Sequence, residues 1–447
     1  MVIRFVYNIR YMIDPTLKKL VSQELKRQKT GLELIPSENY ASPEVRKLLS
    51  TVLVNKYSEG YPKKRYYGGN EIIDNVELLA IEYVKKLFKV PHANVQPYSG
   101  SPANFAVYVA VCEPGDTVLG LNLPDGGHLT HGWKASATAK FFNTVPYHVG
   151  HDGRIDFDEV ASLTKKHKPK LIWTGATAYV YKYDYARFAK IADSVGAYLA
   201  CDIAHVVGLI IGDVHPSPVD YAHIITTTTH KTLRGPRGGM IMVTDKGLKK
   251  DPDLAKNIDK AVFPGIQGGP HDHQTAAITQ ALYEAMQPSF KKYAKDVVDN
   301  SKILADVLID GRLNLVGNTT ENHMMLVDLT HTHGVGTGIF AEKALDMVGL
   351  TVNKNTIPGE QSTPFYPSGI RLGTPAVTTR GMREKEMEII GKTIVAILSM
   401  ISPIRLPIDK KERTVYINQF VEKFEKDPRI KKIKNEIKSL ALRFPIS

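Results

Sequence analysis

An α/β fold with a mainly parallel sheet, followed by a smaller α+β unit, is what the sequence predicts. Three observations carry this. A β-branched run, Ile224-Ile-Thr-Thr-Thr-Thr229, reads as a buried strand, because branched side chains suit the pleat and are poor in helices. A second apolar run, Tyr198-Leu-Ala-Cys-Asp202, reads the same way, and further strands are expected at Leu171–Trp173 and Met240–Val243. These alternate with helical stretches such as Tyr185–Val195, an order that argues for parallel strands joined by right-handed crossovers.

The elements follow in chain order. Met1 to Ile13 holds Arg4 and Arg10 and no acid before Asp14. It lacks an uninterrupted apolar core and a small-residue cleavage site, so it reads as a non-native extension or an arm against a partner subunit. Asp14-Pro15 opens a helix with Leu17, Leu20, Val21 and Leu25 on one face. Leu34–Tyr40 is a loop in which Ser37 is a candidate N-cap for a helix starting at Glu38 or Ser42. Asn55–Gly69 is rich in tyrosine and aperiodic, and such a loop is ordinarily core or interface packing. Asp74–Phe88 is an amphipathic helix burying Val76, Leu79, Ala80, Val84, Leu87 and Phe88. Tyr98-Ser99-Gly100-Ser101-Pro102 leads into a small, apolar helix, Ala103–Cys112. Beyond about Tyr293 the pattern changes: Met324–Leu329 and Ile370–Leu372 read as strands, Phe340–Val348 and Met387–Ile401 as helices. Three regions are therefore expected: an arm and helix over 1–50, an α/β domain over 51–292, and a smaller α+β domain over 293–447.

A length of 447 residues fits two domains, and 43% hydrophobic with 23% charged residues is ordinary for a globular protein. Cys112 and Cys201 sit in apolar runs and read as core fillers in a reducing compartment. No apolar run approaches a membrane span, and the chain reads as cytoplasmic. The net charge of +12 suits either nucleic acid or an electropositive mouth for small anions. Acids interleave the lysine-rich C-terminal region and no stacking platform accompanies it, so nucleic acid is disfavoured.

Chemistry concentrates where strands end. Lys231 follows the 224–229 strand, and Gly and Pro residues then forbid a regular element. A lone strand-end lysine usually snorkels to solvent, whereas a desolvated one has a lowered pKa and attacks carbonyl carbon. Asp202 closes the neighbouring strand and can face the same pocket. The pairing suits pyridoxal phosphate, whose carbonyl the lysine bonds while the aspartate keeps the pyridine nitrogen protonated. Ser99-Gly100-Ser101 at a helix N-terminus offers free N–H groups to a phosphate. Arg371 beside glycines presents a planar fork suited to a carboxylate. His128-Leu-Thr-His131 and His271-Asp-His273 have metal-like spacing, but no cysteine or acidic ligand completes either set, so no metal is expected.

Several segments resemble serine hydroxymethyltransferase: Thr226-Thr-Thr-Thr-His-Lys231 with the following Arg-Gly-Pro-Arg-Gly-Gly, Asn55-Lys-Tyr57-Ser-Glu59-Gly-Tyr-Pro, Arg65-Tyr66-Tyr67-Gly-Gly, Asn94-Val-Gln-Pro-Tyr-Ser99-Gly-Ser101, Gly126-Gly-His128-Leu-Thr-His131-Gly, Phe263-Pro-Gly-Ile-Gln-Gly268-Gly269-Pro and Gly369-Ile-Arg371-Leu-Gly-Thr-Pro. The resemblance runs from about Asp14 to the C-terminus. It implies the fold-type-I, aspartate-aminotransferase-like architecture, with a seven-stranded-type sheet in the large domain. The implied reaction interconverts serine and glycine in one-carbon metabolism and glycine biosynthesis. Pyridoxal phosphate is the implied cofactor, and tetrahydrofolate or a related pterin carries the one-carbon unit.

The same resemblance implies roles for single residues. Lys231 carries the cofactor, Asp202 faces its ring nitrogen and His128 stacks on the ring. Ser99, Gly100, Ser101, Thr177, His205, Thr228 and His230 complete its site, with Tyr57, Gly268 and Gly269 contributed across a homodimer interface. Ser37 and Arg371 take the amino acid's carboxylate, Tyr67 orients the substrate and Glu59 moves protons. Tyr66, Leu123, Leu129, Phe263 and Asn355 complete the substrate and folate site. A homodimer with shared sites, or a pair of such dimers, follows. Thr177 stands where serine is frequent, and Tyr181-Lys182-Tyr183-Asp184 and Ile266 are less familiar in the pattern. A threonine-aldolase-like enzyme without folate and a silent RNA-binding protein are the alternatives.

Overall fold

Seven short strands, most of five residues, make the central sheet of a computed structural model that describes residues 13–446. The expectations for the first twelve residues lie outside the described ones. The strands are β1 (His92–Asn94), β2 (Thr117–Leu121), β3 (Asn143–Tyr147), β4 (Leu171–Thr174), β5 (Tyr198–Asp202), β6 (Ile224–Thr228) and β7 (Gly239–Val243), in spatial order β1-β7-β6-β5-β4-β2-β3. From β3 across to β6 every pairing is parallel, while β7 runs antiparallel to both its neighbours. Parallel strands of one sheet present their carboxyl ends at one edge. Asp202, Lys231 and the loops after β2 and β4 therefore meet there.

Both faces of the sheet are covered, which is why β6 and β7 are buried at every residue, β6 as a β-branched run and β7 as a continuous apolar one. Successive side chains point to opposite faces. Leu171, Trp173, Ala200, Ile224 and Ile241 pack on the side of one helix layer, and Ile172, Leu199, Cys201, Ile225 and Met242 on the other. Cys112 and Cys201 are buried free thiols.

Three helices matter for the site and its approaches. Helix α1 (Pro15–Thr30) is capped by Asp14, which accepts from Leu17 N–H at 2.8 Å. Its Leu17, Leu20, Val21 and Leu25 are all exposed in the single chain. Helix α2 (Glu71–Phe88) begins three residues earlier than the sequence predicts. Its buried face differs too, since Leu79 is exposed and Val76 half-buried while Glu77 is buried. The carboxylate of Glu77 is drawn in by Arg65 Nη2 at 2.6 Å and Gln96 Nε2 at 2.8 Å. A count of apolar residues cannot see a paired charge. Helix α3 (Gly100–Val111) starts on the Ser-Gly-Ser segment itself.

Ser37 is not a helix cap. It lies in a turn, and the next helix, Pro43–Leu48, is capped by Ser42, whose Oγ accepts from Val45 N–H at 3.1 Å. Pro43 at the first helical position fixes that start.

The C-terminal unit holds an antiparallel sheet of β8 (Asn314–Leu315), β9 (Met324–Asp328), β10 (Asn353–Asn355) and β11 (Gly369–Gly373), in order β8-β9-β11-β10. Helix α4 (Pro288–Asp310) serves both cores. Phe290, Ala294 and Val297 pack beneath the large sheet, and Leu304, Ala305 and Leu308 join the second core. Leu32 and Leu34 from the N-terminal region also enter that second core, as do Phe424, Ile437 and Leu440 from the lysine-rich C-terminal helices. The fold is thus α/β, with a large, mainly parallel sheet flanked by helices and a C-terminal unit. Among the described residues no helix is long and apolar enough to cross a membrane.

Candidate active site

Asp202 ends β5 and lies opposite Thr226 of β6. Its Oδ2 accepts from Asn104 Nδ2 at 2.8 Å and lies 3.2 Å from His131 Nε2, while Oδ1 accepts from Ala204 N–H at 3.0 Å. Asn104 is fully buried in α3; it also accepts from Thr226 Oγ1 at 2.6 Å and donates to Thr130 Oγ1 at 2.8 Å. Both N–H donors of its amide are therefore used. His131 lies flat on Trp173, with centroids 4.9 Å apart. Burial works against the charge on Asp202, but the hydrogen bond and charge of His131, helped by His128 and Lys231, hold the carboxyl well below its usual range. It is an ionised group aimed at the sheet edge.

Lys231 follows β6 by three residues and is half-buried. Asn39 Nδ2 donates to its carbonyl at 3.0 Å, tying the N-terminal loop to this turn. Burial pulls the amine down to about 8; Asp202 opposes the fall, and Arg371 and Arg237 add to it. The amine therefore has a neutral fraction at physiological pH that an exposed lysine lacks.

Beside it, Ser99 precedes α3 without capping it, so the helix offers open N–H groups and its positive dipole end. A Cβ at Gly100 would lie 2.7 Å from Thr228 Cγ2, and one at Gly239 would lie 2.6 Å from Ser99 O. Thr228 Oγ1 and His230 Nδ1 are buried without a hydrogen-bond partner among the described residues. Ser101, two residues into the helix, is exposed in the single chain. Open donors around a glycine-lined recess fit the phosphate of pyridoxal phosphate, and the ionised Asp202 fits its pyridine nitrogen.

His128 opens the short turn Leu129–His131, and its Nδ1 is 2.7 Å from Thr130 Oγ1. Burial, then the neighbouring His131, pushes the ring down to about 4, so it is neutral. Leu123, in the preceding turn, is half-buried and Leu129 is exposed. Gly126 has φ +97°, and a Cβ there would meet Ala178 O at 2.3 Å, so this loop lies directly on the segment after β4. Thr177 Oγ1 donates to Gly127 O at 3.0 Å.

Asp202 changes the reasoning about metals. Ligand atoms of His128, His131 and Asp202 lie within 4.8 Å of one another, so an acidic residue does complete the histidine pair, contrary to the sequence argument. It arrives from a strand 71 positions on, where local spacing cannot reveal it. Its Oδ2 already has Asn104 and His131 as neighbours, an arrangement that orients a carboxylate toward a ring N–H.

Arg371 sits in β11 and is only 5% exposed. Its Nε donates to Asn353 Oδ1 at 3.1 Å and its Nη1 donates to Thr177 O. No carboxylate pairs with it among the described residues, and burial lowers the guanidinium to about 10, still charged at neutral pH. Asn355 instead donates to Thr356 O at 2.7 Å. The turn at Ser37 approaches this strand, since Gly373 N–H donates to Leu34 O at 2.7 Å. His205 and His323, both buried, bring Nδ1 and Nε2 within 3.3 Å across the two units.

A second cluster adjoins the residue before Ser99, since Tyr98 Oη donates to Gly269 O at 2.7 Å. Tyr57 Oη donates to Glu59 Oε1 at 3.2 Å, the Tyr57 and Tyr67 rings meet edge-on at 4.8 Å, and Tyr66 meets Phe263 at 5.6 Å. Gly268 and Gly269 pack against Glu59 and Tyr57. Tyr57, Tyr66 and Tyr67 are 54%, 75% and 47% exposed. Among the described residues, no hydrogen bond or ring contact links this cluster to Lys231, Asp202 or Arg371.

Sequence reasoning missed Asn39, Asn104 and His323. Asn104 left one signal, a lone amide inside an apolar helix.

Residues 11–394 match the family model described as serine hydroxymethyltransferase. The chain is 55% identical over 382 residues to the serine hydroxymethyltransferase of Acidothermus cellulolyticus, covering 85% of this chain and 87% of the relative. It is 53% identical over 378 residues to that of Desulfotalea psychrophila, with the same coverage. It is 49% identical over 401 residues to that of Campylobacter jejuni, covering 90% of this chain and 95% of the relative. A sheet edge holding Lys231 against Asp202, together with matches of this extent, places the chain in the serine hydroxymethyltransferase family.

Proposed function

We propose that the chain converts serine and tetrahydrofolate to glycine and 5,10-methylenetetrahydrofolate, reversibly, with its own residues in the following roles. One observation carries the reading: Arg371 is a buried guanidinium with no carboxylate paired to it among the described residues, in electrostatic reach of the desolvated Lys231. Such a charge is costly unless a ligand anion meets it. An amino acid's α-carboxylate satisfies it and sets the α-carbon against the sheet edge.

Pyridoxal phosphate, when bound, supplies an electron-withdrawing ring that takes up the pair released at the α-carbon. Lys231 provides the amine that holds its carbonyl. Asp202, kept ionised by its neighbours, stabilises a proton on the ring nitrogen, and Asn104 fixes the carboxylate's direction. Ser99, Gly100, Ser101, Thr228 and His230 receive the phosphate, and the neutral His128 covers the ring face. Thr177 and His205 line its oxygen side. Ser37 supports Arg371 at the substrate carboxylate. Glu59 moves the proton at the hydroxymethyl group, Tyr67 orients the substrate, and Tyr66, Leu123, Leu129, Phe263 and Asn355 meet substrate and folate.

The site is shared between two copies in a homodimer. The exposure of Tyr57, Tyr66 and Tyr67, the lack of a hydrogen bond or ring contact from them to Lys231 among the described residues, and the uncovered apolar face of α1 support this reading. Gly268 and Gly269 of one copy then serve the cofactor of the other. The division into 1–50, 51–292 and 293–447 is kept with one qualification: α4 spans its second boundary. Two buried free thiols support a reducing, cytoplasmic setting.

The test is spectroscopic. Glycine added to the cofactor-loaded protein should produce a weak long-wavelength absorbance that tetrahydrofolate amplifies. A response to glycine that ignores folate would favour the threonine-aldolase-like reading.

A further inference from the structure

His205 follows β5 and His323 precedes β9, so they flank strands of different sheets, yet their rings meet. The centroids are 5.5 Å apart with planes 25° from parallel, and the nearest nitrogens, His205 Nδ1 and His323 Nε2, are 3.3 Å apart. The centroid spacing exceeds the N···N distance by about one ring diameter. The rings therefore meet edge to edge along a nitrogen–nitrogen line, as a hydrogen bond requires, and do not lie face to face.

Both residues are buried, and burial drives both imidazoles toward the neutral form; Lys231 and Arg371 act on each in the same direction. Two neutral rings sharing one contact must divide the roles: one nitrogen carries the hydrogen and the other is bare. The far nitrogens, His205 Nε2 and His323 Nδ1, are buried without partners among the described residues. The direction of the shared bond therefore decides whether His205 offers the cofactor site a donor or a lone pair.

We propose that His323 is a positioning residue that donates its Nε2–H to His205 Nδ1 and so holds His205 with its remaining N–H on Nε2, toward the cofactor. This rests on the reading of the site given above. A donor at Nε2 complements the negative ring oxygen of pyridoxal phosphate, whereas a bare nitrogen would repel it. The arrangement leaves His323 Nδ1 as an unpaired acceptor, which proteins tolerate better than a buried, unpaired N–H. The backbone around His323 is firmly held. Its carbonyl accepts from Thr374 N–H at 3.2 Å, and Asn322 beside it donates to Tyr179 O at 2.8 Å. Thr374 directly follows the strand that carries Arg371. The unit that grips the substrate carboxylate thereby also sets a hydrogen-bond donor of the cofactor pocket.

Long-range proton–nitrogen correlation on histidine-labelled, cofactor-loaded protein reads the tautomers directly. His205 should show a bare Nδ1 and a protonated Nε2, and His323 a protonated Nε2. In His323→Leu the ionisation of the bound cofactor, followed by its absorbance, should move by roughly tenfold in proton concentration, a one-unit shift. His323→Gln, which keeps an N–H donor near the same place, should restore it. A protonated Nδ1 on His205 in the parent protein would overturn the proposal. So would a Gln variant as shifted as the Leu variant, with both folded. Borohydride mapping of the same sample separates the failures: no pyridoxyl on Lys231 overturns the cofactor assignment, and this proposal with it.

Discussion

Asn104 Nδ2 and Asp202 Oδ2 lie 2.8 Å apart, joining the inside of a buried helix to the end of a strand 98 positions on. The bond matters because Asn104 hydrogen-bonds Asp202, Thr226 and Thr130 together. Asn104→Ala should weaken cofactor binding about tenfold and cost about 1–3 kcal/mol of stability, since it strands buried polar partners. Cofactor titration and urea melts measure the two effects. Unchanged cofactor affinity would show that His131 and the Ala204 N–H orient Asp202 without Asn104.

Lys231 and Asp202 were legible in the sequence because a β-branched or apolar run fixes a strand and hence its end. Parallel order then brings the ends together. Arg371 was legible through its glycine neighbours. Asn104 was not, because a lone polar residue inside an apolar helix shows no period, and His323 was not, because it lies in a bend outside any periodic element and its partner His205 is 118 positions away. Glu77 misled the reading of α2 for a related reason: its burial depends on Arg65, which lies outside the helix. The exposed face of α1 was read as apolar, but what covers it is not encoded in its period.

Lys231 also predicts a pH dependence. Its amine titrates near 8 in the folded protein, against 10.5 for an ordinary lysine. Between these values the unfolded chain binds more protons, so the cofactor-free protein should gain stability as pH rises through that window. Lys231→Met should remove this slope and stabilise the cofactor-free protein by about 1–3 kcal/mol near neutral pH, less above. Denaturant melts across pH check it; a slope that survives the substitution belongs to another group.

The proposed sharing of the site between two copies predicts complementation. Lys231→Ala and the double variant Tyr57→Ala, Glu59→Ala should each be inactive alone. Refolded together, they should form mixed dimers with one site carrying both defects and one carrying none. About a quarter of parent activity returns if half the dimers are mixed. Mixed dimers proven by mass spectrometry but without activity would put all these residues in one subunit's site.

The most direct test of the account is serine affinity in Arg371→Lys. Lysine keeps the charge but cannot form the two parallel hydrogen bonds of a guanidinium with a carboxylate. Calorimetric titration of the cofactor-loaded variant should show affinity for serine reduced by about 1.5–3 kcal/mol, the scale of hydrogen bonds to charged groups, while the cofactor stays bound. Serine binding at parental strength in the folded, loaded variant would contradict the placement of the substrate carboxylate on Arg371, and with it the reading of this sheet edge.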